Sequence, residues 1–94
     1  MTLGLVQRFR ATRQVHARRF DEATIVLDLE QGEYFTLNEV GGAIWERLNE
    51  GLSLGEIVEI LTKTYDIEAQ GADADVRRIV RELVAAGLVV EVTE

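Results

Sequence analysis

Residues 33–48 read Glu33-Tyr34-Phe35-Thr36-Leu37-Asn38-Glu39-Val40-Gly41-Gly42-Ala43-Ile44-Trp45-Glu46-Arg47-Leu48, and the spacing of the apolar residues changes within them. Up to Leu37, aromatic and β-branched residues crowd together as in a strand. After Asn38, whose side chain suits a helix N-cap, Val40, Ile44, Trp45 and Leu48 recur at helical spacing. The switch at Asn38 divides the chain, with sheet expected before it and helix after it.

Upstream, apolar and β-branched residues lie in two further runs, 15–20 and 24–29, so that with 33–37 they form an expected three-stranded meander. Glu30-Gln31-Gly32 is expected to be a three-residue loop with Gly32 in the left-handed conformation. That register pairs Leu27 with Phe35 and Ile25 with Leu37, and puts Ile25, Leu27, Leu29, Phe35 and Leu37 on the core face. Val26, Asp28, Tyr34 and Thr36 then take the other face, and the far edge of the third strand stays unpaired. Residues 1–10 show no sustained period. The expected organisation is therefore a flexible basic arm over 1–12 and one domain over 13–94.

Downstream, Gly51 stops the first helix, and Ser53 with Glu56 reads as a capping box for a second, whose apolar stripe of Ile57, Val58, Ile60 and Leu61 runs to Tyr65. Residues 66–72, with Gly71, read as a polar connection, and Asp73 as the cap of a third helix carrying Val76, Ile79, Val80, Leu83 and Val84. Gly87 ends that helix, and residues 88–92 form either a short strand or an apolar tail. Gly41 and Gly42 are costly inside a helix, about 1 kcal/mol each relative to Ala, and so predict close backbone packing. The expected fold is α+β and winged-helix-like: a three-stranded antiparallel sheet followed by three helices.

The chain has 94 residues, 47% of them apolar, and a net charge of −7. Two domains and a large catalytic cleft do not fit in that length. The absence of cysteine excludes disulfides, thiolate metal sites and cysteine nucleophiles. No run of about 18 apolar residues is present, and the first residues lack a signal-peptide pattern, so a cytoplasmic location with no membrane partner is expected. Arg8, Arg10, Arg13, Arg18 and Arg19 make the first 20 residues basic, while the rest sets five bases against all 17 acids. Such a body repels a phosphate backbone, so nucleic acid is not an expected partner.

His16 stands alone without a ligand set, Ser53 is accounted for as a helix cap, and no glycine pattern cradles a phosphate. No catalytic residue, metal or cofactor is therefore expected. Two features remain. The edge strand Glu33, Tyr34, Phe35, Thr36 and Leu37 carries neither proline nor lysine to blunt it. On the third helix, Arg77 and Arg81 flank Val80 and Val84, giving a face half cationic and half apolar. An extended peptide adding to that edge would take its affinity from backbone hydrogen bonds, with apolar residues beside Val80 and Val84 and acidic ones beside Arg77 and Arg81.

Over residues 15–90 the order of elements and several short strings resemble the PqqD-like recognition elements of ribosomally synthesised, post-translationally modified peptides. The strings are Tyr34-Phe35-Thr36-Leu37-Asn38, Ile44-Trp45-Glu46-Arg47-Leu48, the Ser-initiated helix after Gly51, and Asp75-Val76, Leu83 and Gly87-Leu88. Gly41-Gly42 departs from the family, where Thr-Ala or Ala-Ala is common. Within the family the chain is most similar to the stand-alone recognition proteins of lasso-peptide biosynthesis, with a PQQ-type system as the nearest alternative. The resemblance implies a non-catalytic binder of the leader segment of a precursor peptide, which it hands to a leader peptidase or other peptide-modifying enzyme. The competing reading is a winged-helix DNA-binding regulator with Arg77, Arg78 and Arg81 on its recognition helix, which the overall charge opposes. A carrier protein is disfavoured by the lack of an Asp-Ser-Leu signature.

Overall fold

The computed structural model describes residues 3–93. Strand β1 spans Phe9–Ala11, β2 Val15–Phe20, β3 Ala23–Asp28 and β4 Glu33–Leu37; helices α1 Glu39–Asn49, α2 Leu54–Thr64 and α3 Ala69–Ala85 follow, and β5 spans Val89–Glu91. The order β2-β3-β4 forms an antiparallel meander, and β1 pairs with β5 in a second, two-stranded sheet. The fold is thus α+β, with the expected three strands followed by three helices. The extra sheet joins residues 9–11 to residues 89–91.

The β3–β4 register differs from the expected one by a residue. Val26 lies opposite Phe35 and Thr24 opposite Leu37, and Asp28 opposite Glu33 closes a four-residue loop. The cause is the turn's demand for acceptors. Asp28 is buried, its Oδ1 accepts from the backbone N–H groups of Glu30 at 3.0 Å and Gln31 at 3.1 Å, and its carbonyl accepts from Gly32 N–H at 2.9 Å. Gly32 holds the expected left-handed backbone, at φ 71°. Drawing Asp28 inward places Thr24 and Val26 on the core face. Ile25 and Leu27 are left half-buried on the opposite face, and Leu29 is 61% exposed. One hydrogen-bonded turn and one close helix approach outweigh the apolar count that favoured the other face.

The close approach is that of Gly42. A Cβ there would lie 2.5 Å from Thr24 Oγ1, so the α1 backbone seats against the sheet as the glycine pair predicted. Asn38 caps α1, its Oδ1 accepting from Gly41 N–H at 2.8 Å, and Ile44, Trp45 and Leu48 are buried beneath. Ser53 and Glu56 form the expected capping box of α2, which buries Leu54, Ile57 and Leu61.

Helix α3 starts at Ala69, before the expected cap. Glu68 is its N-cap without a side-chain bond, and Asp73 lies inside the helix, where it pairs with Arg77. Ala72 is fully buried and extends the stripe of Val76, Ile79, Val80 and Leu83 backwards by a turn, so burial carries the helix through Asp73.

The segment expected to lie loose ahead of the domain is part of it. Phe9 is fully buried, Leu3 nearly so, and β1 pairs Phe9 with Glu91, Arg10 with Val90 and Ala11 with Val89. Its carbonyls also satisfy the first turn of α2: Leu54 N–H donates to Gln7 at 3.0 Å and Gly55 N–H to Leu5 at 2.8 Å. These partners lie far along the chain, so the segment shows no period of its own. Residues 1–2 of the expected arm, and residue 94, lie outside the described residues.

Candidate functional site

Alternation of backbone groups fixes what β4 presents at its free edge. Leu29 N–H donates to the Gln14 carbonyl at 2.9 Å, in line with the β2–β3 register. Odd-numbered residues of β3 therefore direct their backbone groups at β2, and even-numbered ones at β4. Asp28, Val26 and Thr24 are thus the hydrogen-bonded partners of Glu33, Phe35 and Leu37. Tyr34 and Thr36 are left with their N–H and C=O groups pointing away from the sheet, towards an edge that no strand covers.

Side chains alternate the other way. Phe35 and Leu37 face inward with Val26 and Thr24, and Tyr34 and Thr36 are exposed. Beside them, between β4 and the C-terminal half of α3, lies a groove of about 250 Å³ lined by Phe35, Thr36, Leu37, Ile79, Glu82, Leu83 and Leu88. Its walls are apolar except for Thr36 and the carboxylate of Glu82.

The expected strand residues, Glu33 to Leu37, thus sit on the open edge beside the groove. The expected helix residues do not join them. Val80 is fully buried, and Val84 is half-buried in contact with the core. Arg77 donates to the Leu3 carbonyl and pairs with Asp73, which ties it to the N-terminal segment. Arg81 is exposed and does not line the groove. The wall facing β4 is built from Ile79, Glu82 and Leu83. The sequence reading placed Ile79 and Leu83 in the core stripe; with Glu82 three residues after Ile79, that spacing was the only signal that one edge of the stripe borders a site.

The charges on α3 are largely engaged. Arg78 lies between Asp75 at 3.6 Å and Glu82 at 3.7 Å. A second cavity, between the β2–β3 turn and α1, is polar and lined by Arg19, Glu22, Thr24, Glu39, Glu46 and Tyr65 among others, with Arg19 and Glu46 3.8 Å apart. Its opposed charges answer one another. Among the described residues no group of three His, Cys, Asp or Glu side chains could hold a metal, and no helix is long and apolar enough to cross a membrane. The hydrogen bonds that Ser53 gives to Glu56, with the nearby Arg8 guanidinium, hold the Glu56 carboxyl below its ordinary range, consistent with capping rather than proton transfer.

A free strand edge beside an apolar groove is the geometry to which an extended peptide can add as a strand. The comparisons supply the family. Residues 23–89 match the family described as Coenzyme PQQ synthesis protein D (PqqD), and the chain belongs to that family. Two solved structures are similar at a TM-score of 0.81. One, a lasso peptide synthetase B1 complexed with the leader peptide, is 29% identical over 88% of this chain and 98% of that one. The other, TbiB1 in complex with the TbiA(beta) leader peptide, is 28% identical over 90% of this chain and 99% of that one. No curated protein matches the sequence.

Proposed function

We propose that this chain binds the leader segment of a ribosomally made precursor peptide and presents it to an enzyme that processes the peptide. The observation that carries the reading is the pair of outward-facing backbone units, Tyr34 and Thr36, at the open β4 edge beside the apolar groove. A leader added to β4 would exchange backbone hydrogen bonds with those two residues, giving affinity that depends little on sequence. Its alternate side chains, opposite Phe35 and Leu37, would enter the groove and supply selectivity. An extended leader loses conformational freedom on docking, so the affinity expected is on the order of micromolar to tens of nanomolar.

Support comes from the family and from the two similar structures, whose proteins are complexed with leader peptides. They favour a lasso-type pathway, and the reading extends to a leader peptidase as the receiving enzyme and the cytoplasm as the place of action. The role proposed is that of a binder, supported by the leader-peptide complexes of the similar proteins and by a site made chiefly of backbone groups and an apolar wall. The DNA-binding reading loses its basis in the structure: Arg77 and Arg78 are engaged by acids of their own helix, and the chain carries a net charge of −7.

Isothermal titration of the protein with candidate leader peptides, and separately with duplex DNA, tests the reading. Saturable peptide binding, with only weak and sequence-independent binding of DNA, is the expected result. A tight, sequence-selective DNA complex without peptide binding would overturn it.

A further inference from the structure

The charge that lines the groove is opposite in sign to the one the α3 arginines led the sequence to expect. Arg77 is turned to Leu3 and Asp73, and Arg81 does not line the groove; Glu82 does. The opposing β4 wall contributes Phe35, Thr36 and Leu37. An incoming strand thus meets an apolar groove whose lining carries one ionisable side chain, the carboxylate of Glu82.

Glu82 is only loosely paired where it stands. Arg78 is shared between Asp75 and Glu82 at 3.6 and 3.7 Å, both longer than the roughly 2.7–2.9 Å of a charge-assisted hydrogen bond. The three groups together keep a net negative charge, and their exposed side chains leave the pairing screened by water. A peptide lying over the groove would displace part of that water. In the lower dielectric left behind, a carboxylate without a close partner becomes costly, while one met by a cation becomes favourable. The acidic body around the site adds a long-range field of the same sense.

Building on the reading that a leader strand pairs with β4, we propose that this site selects leaders carrying lysine or arginine at a groove-facing position next to the apolar anchor, and that Glu82 is the residue that reads that cation. The alternation of a β-strand locates the position. Side chains opposite Phe35 and Leu37 fill the apolar floor, and the cation belongs two residues from one of them, on the same face of the added strand. An acidic residue there would confront Glu82. The preference is therefore for basic over acidic leaders, with neutral ones between.

The test uses synthetic leader peptides with apolar residues at two alternating positions and Lys, Gln or Glu at the next groove-facing position on either side, titrated into the full chain. The wild type is expected to bind the better Lys peptide about tenfold more tightly than its Glu counterpart at low salt, and the gap should shrink as added salt shortens the screening length to about 3 Å at 1 M. Glu82→Gln should reduce the gap, and Glu82→Lys should reverse the order. Both variants change an exposed helix side chain, and circular dichroism is expected to show an intact fold. Equal affinity of the wild type for Lys and Glu peptides, or the same order in E82K as in the wild type, overturns the role of Glu82 while leaving strand addition standing. If none of the peptides binds, the strand-addition reading itself fails, and the charge preference falls with it.

Discussion

Thr24 and Gly42 meet where the sheet seats on α1, with Thr24 Oγ1 2.5 Å from where a Cβ on Gly42 would be. Alanine is the better helix former by about 1 kcal/mol, so propensity alone predicts that Gly42→Ala stabilises the protein. The contact predicts the reverse, a loss of about 1–3 kcal/mol from overpacking. Chemical denaturation decides between them, and adding Thr24→Ala, which removes the hydroxyl from the crowded space, should recover part of the loss.

Phe9 tests whether the N-terminal segment belongs to the fold. Truncating a fully buried Phe costs about 3–5 kcal/mol, a large share of the roughly 5–15 kcal/mol that holds a small domain together. Phe9→Ala should therefore lower the denaturation midpoint sharply. A loose arm would leave it unchanged.

At the strand edge, Thr36 directs its N–H outward, so proline there removes a donor from the free edge and none from the β3 ladder. Thr36→Pro should weaken leader binding by about tenfold or more, and Thr36→Ala should change it little. Titration calorimetry of both variants gives the comparison.

The groove and the far side of α3 make a second contrast. Phe35→Ala, which strips the strand wall of the groove, should weaken leader binding by about tenfold. Arg81→Glu, away from the groove, should leave it within a factor of about two, since exposed substitutions clear of such features have small effects. A loss in Arg81→Glu with none in Phe35→Ala would place the peptide on the other side of the helix.

Glu56 gives a pH dependence with a definite sign. Its folded-state pKa is lowered, first by the hydrogen bonds from Ser53 and then by Arg8. The stability it contributes is present above the unfolded carboxylate range and is lost as the pH falls through the lowered folded-state value. Glu56→Gln keeps a capping side chain without the ionisation, so denaturation midpoints measured from neutral to acid pH should fall less steeply in that variant than in the wild type.

Some of this was written locally in the sequence. Asn38, and Ser53 with Glu56, act on backbone groups three residues away, while Gly51 and Gly87 end helices by adopting positive φ. Short-range hydrogen bonds and single-residue conformations of this kind are legible because both partners lie in one window. The strand itself was legible for the same reason, while its free edge depends on β5 pairing with β1 instead.

Three matters were settled only by contacts between distant segments. The face of β3 depended on Asp28 turning inward to serve the loop and on Gly42 reaching Thr24, which together outweighed a better apolar count on the other face. The strand at Phe9 exists because β5, near the opposite end of the chain, offers it a partner. The side of α3 that borders the groove was undetermined because the apolar stripe runs from Val80 round to Ile79, and a helix buried over so wide an arc has two edges that look alike in sequence. Packing against the rest of the core buries Val80 and leaves Ile79, Glu82 and Leu83 beside β4. Hydrophobic burial rewards area without regard to direction, so the sequence by itself determined that α3 would be buried, and only the tertiary structure decided which edge of it lines the groove beside β4.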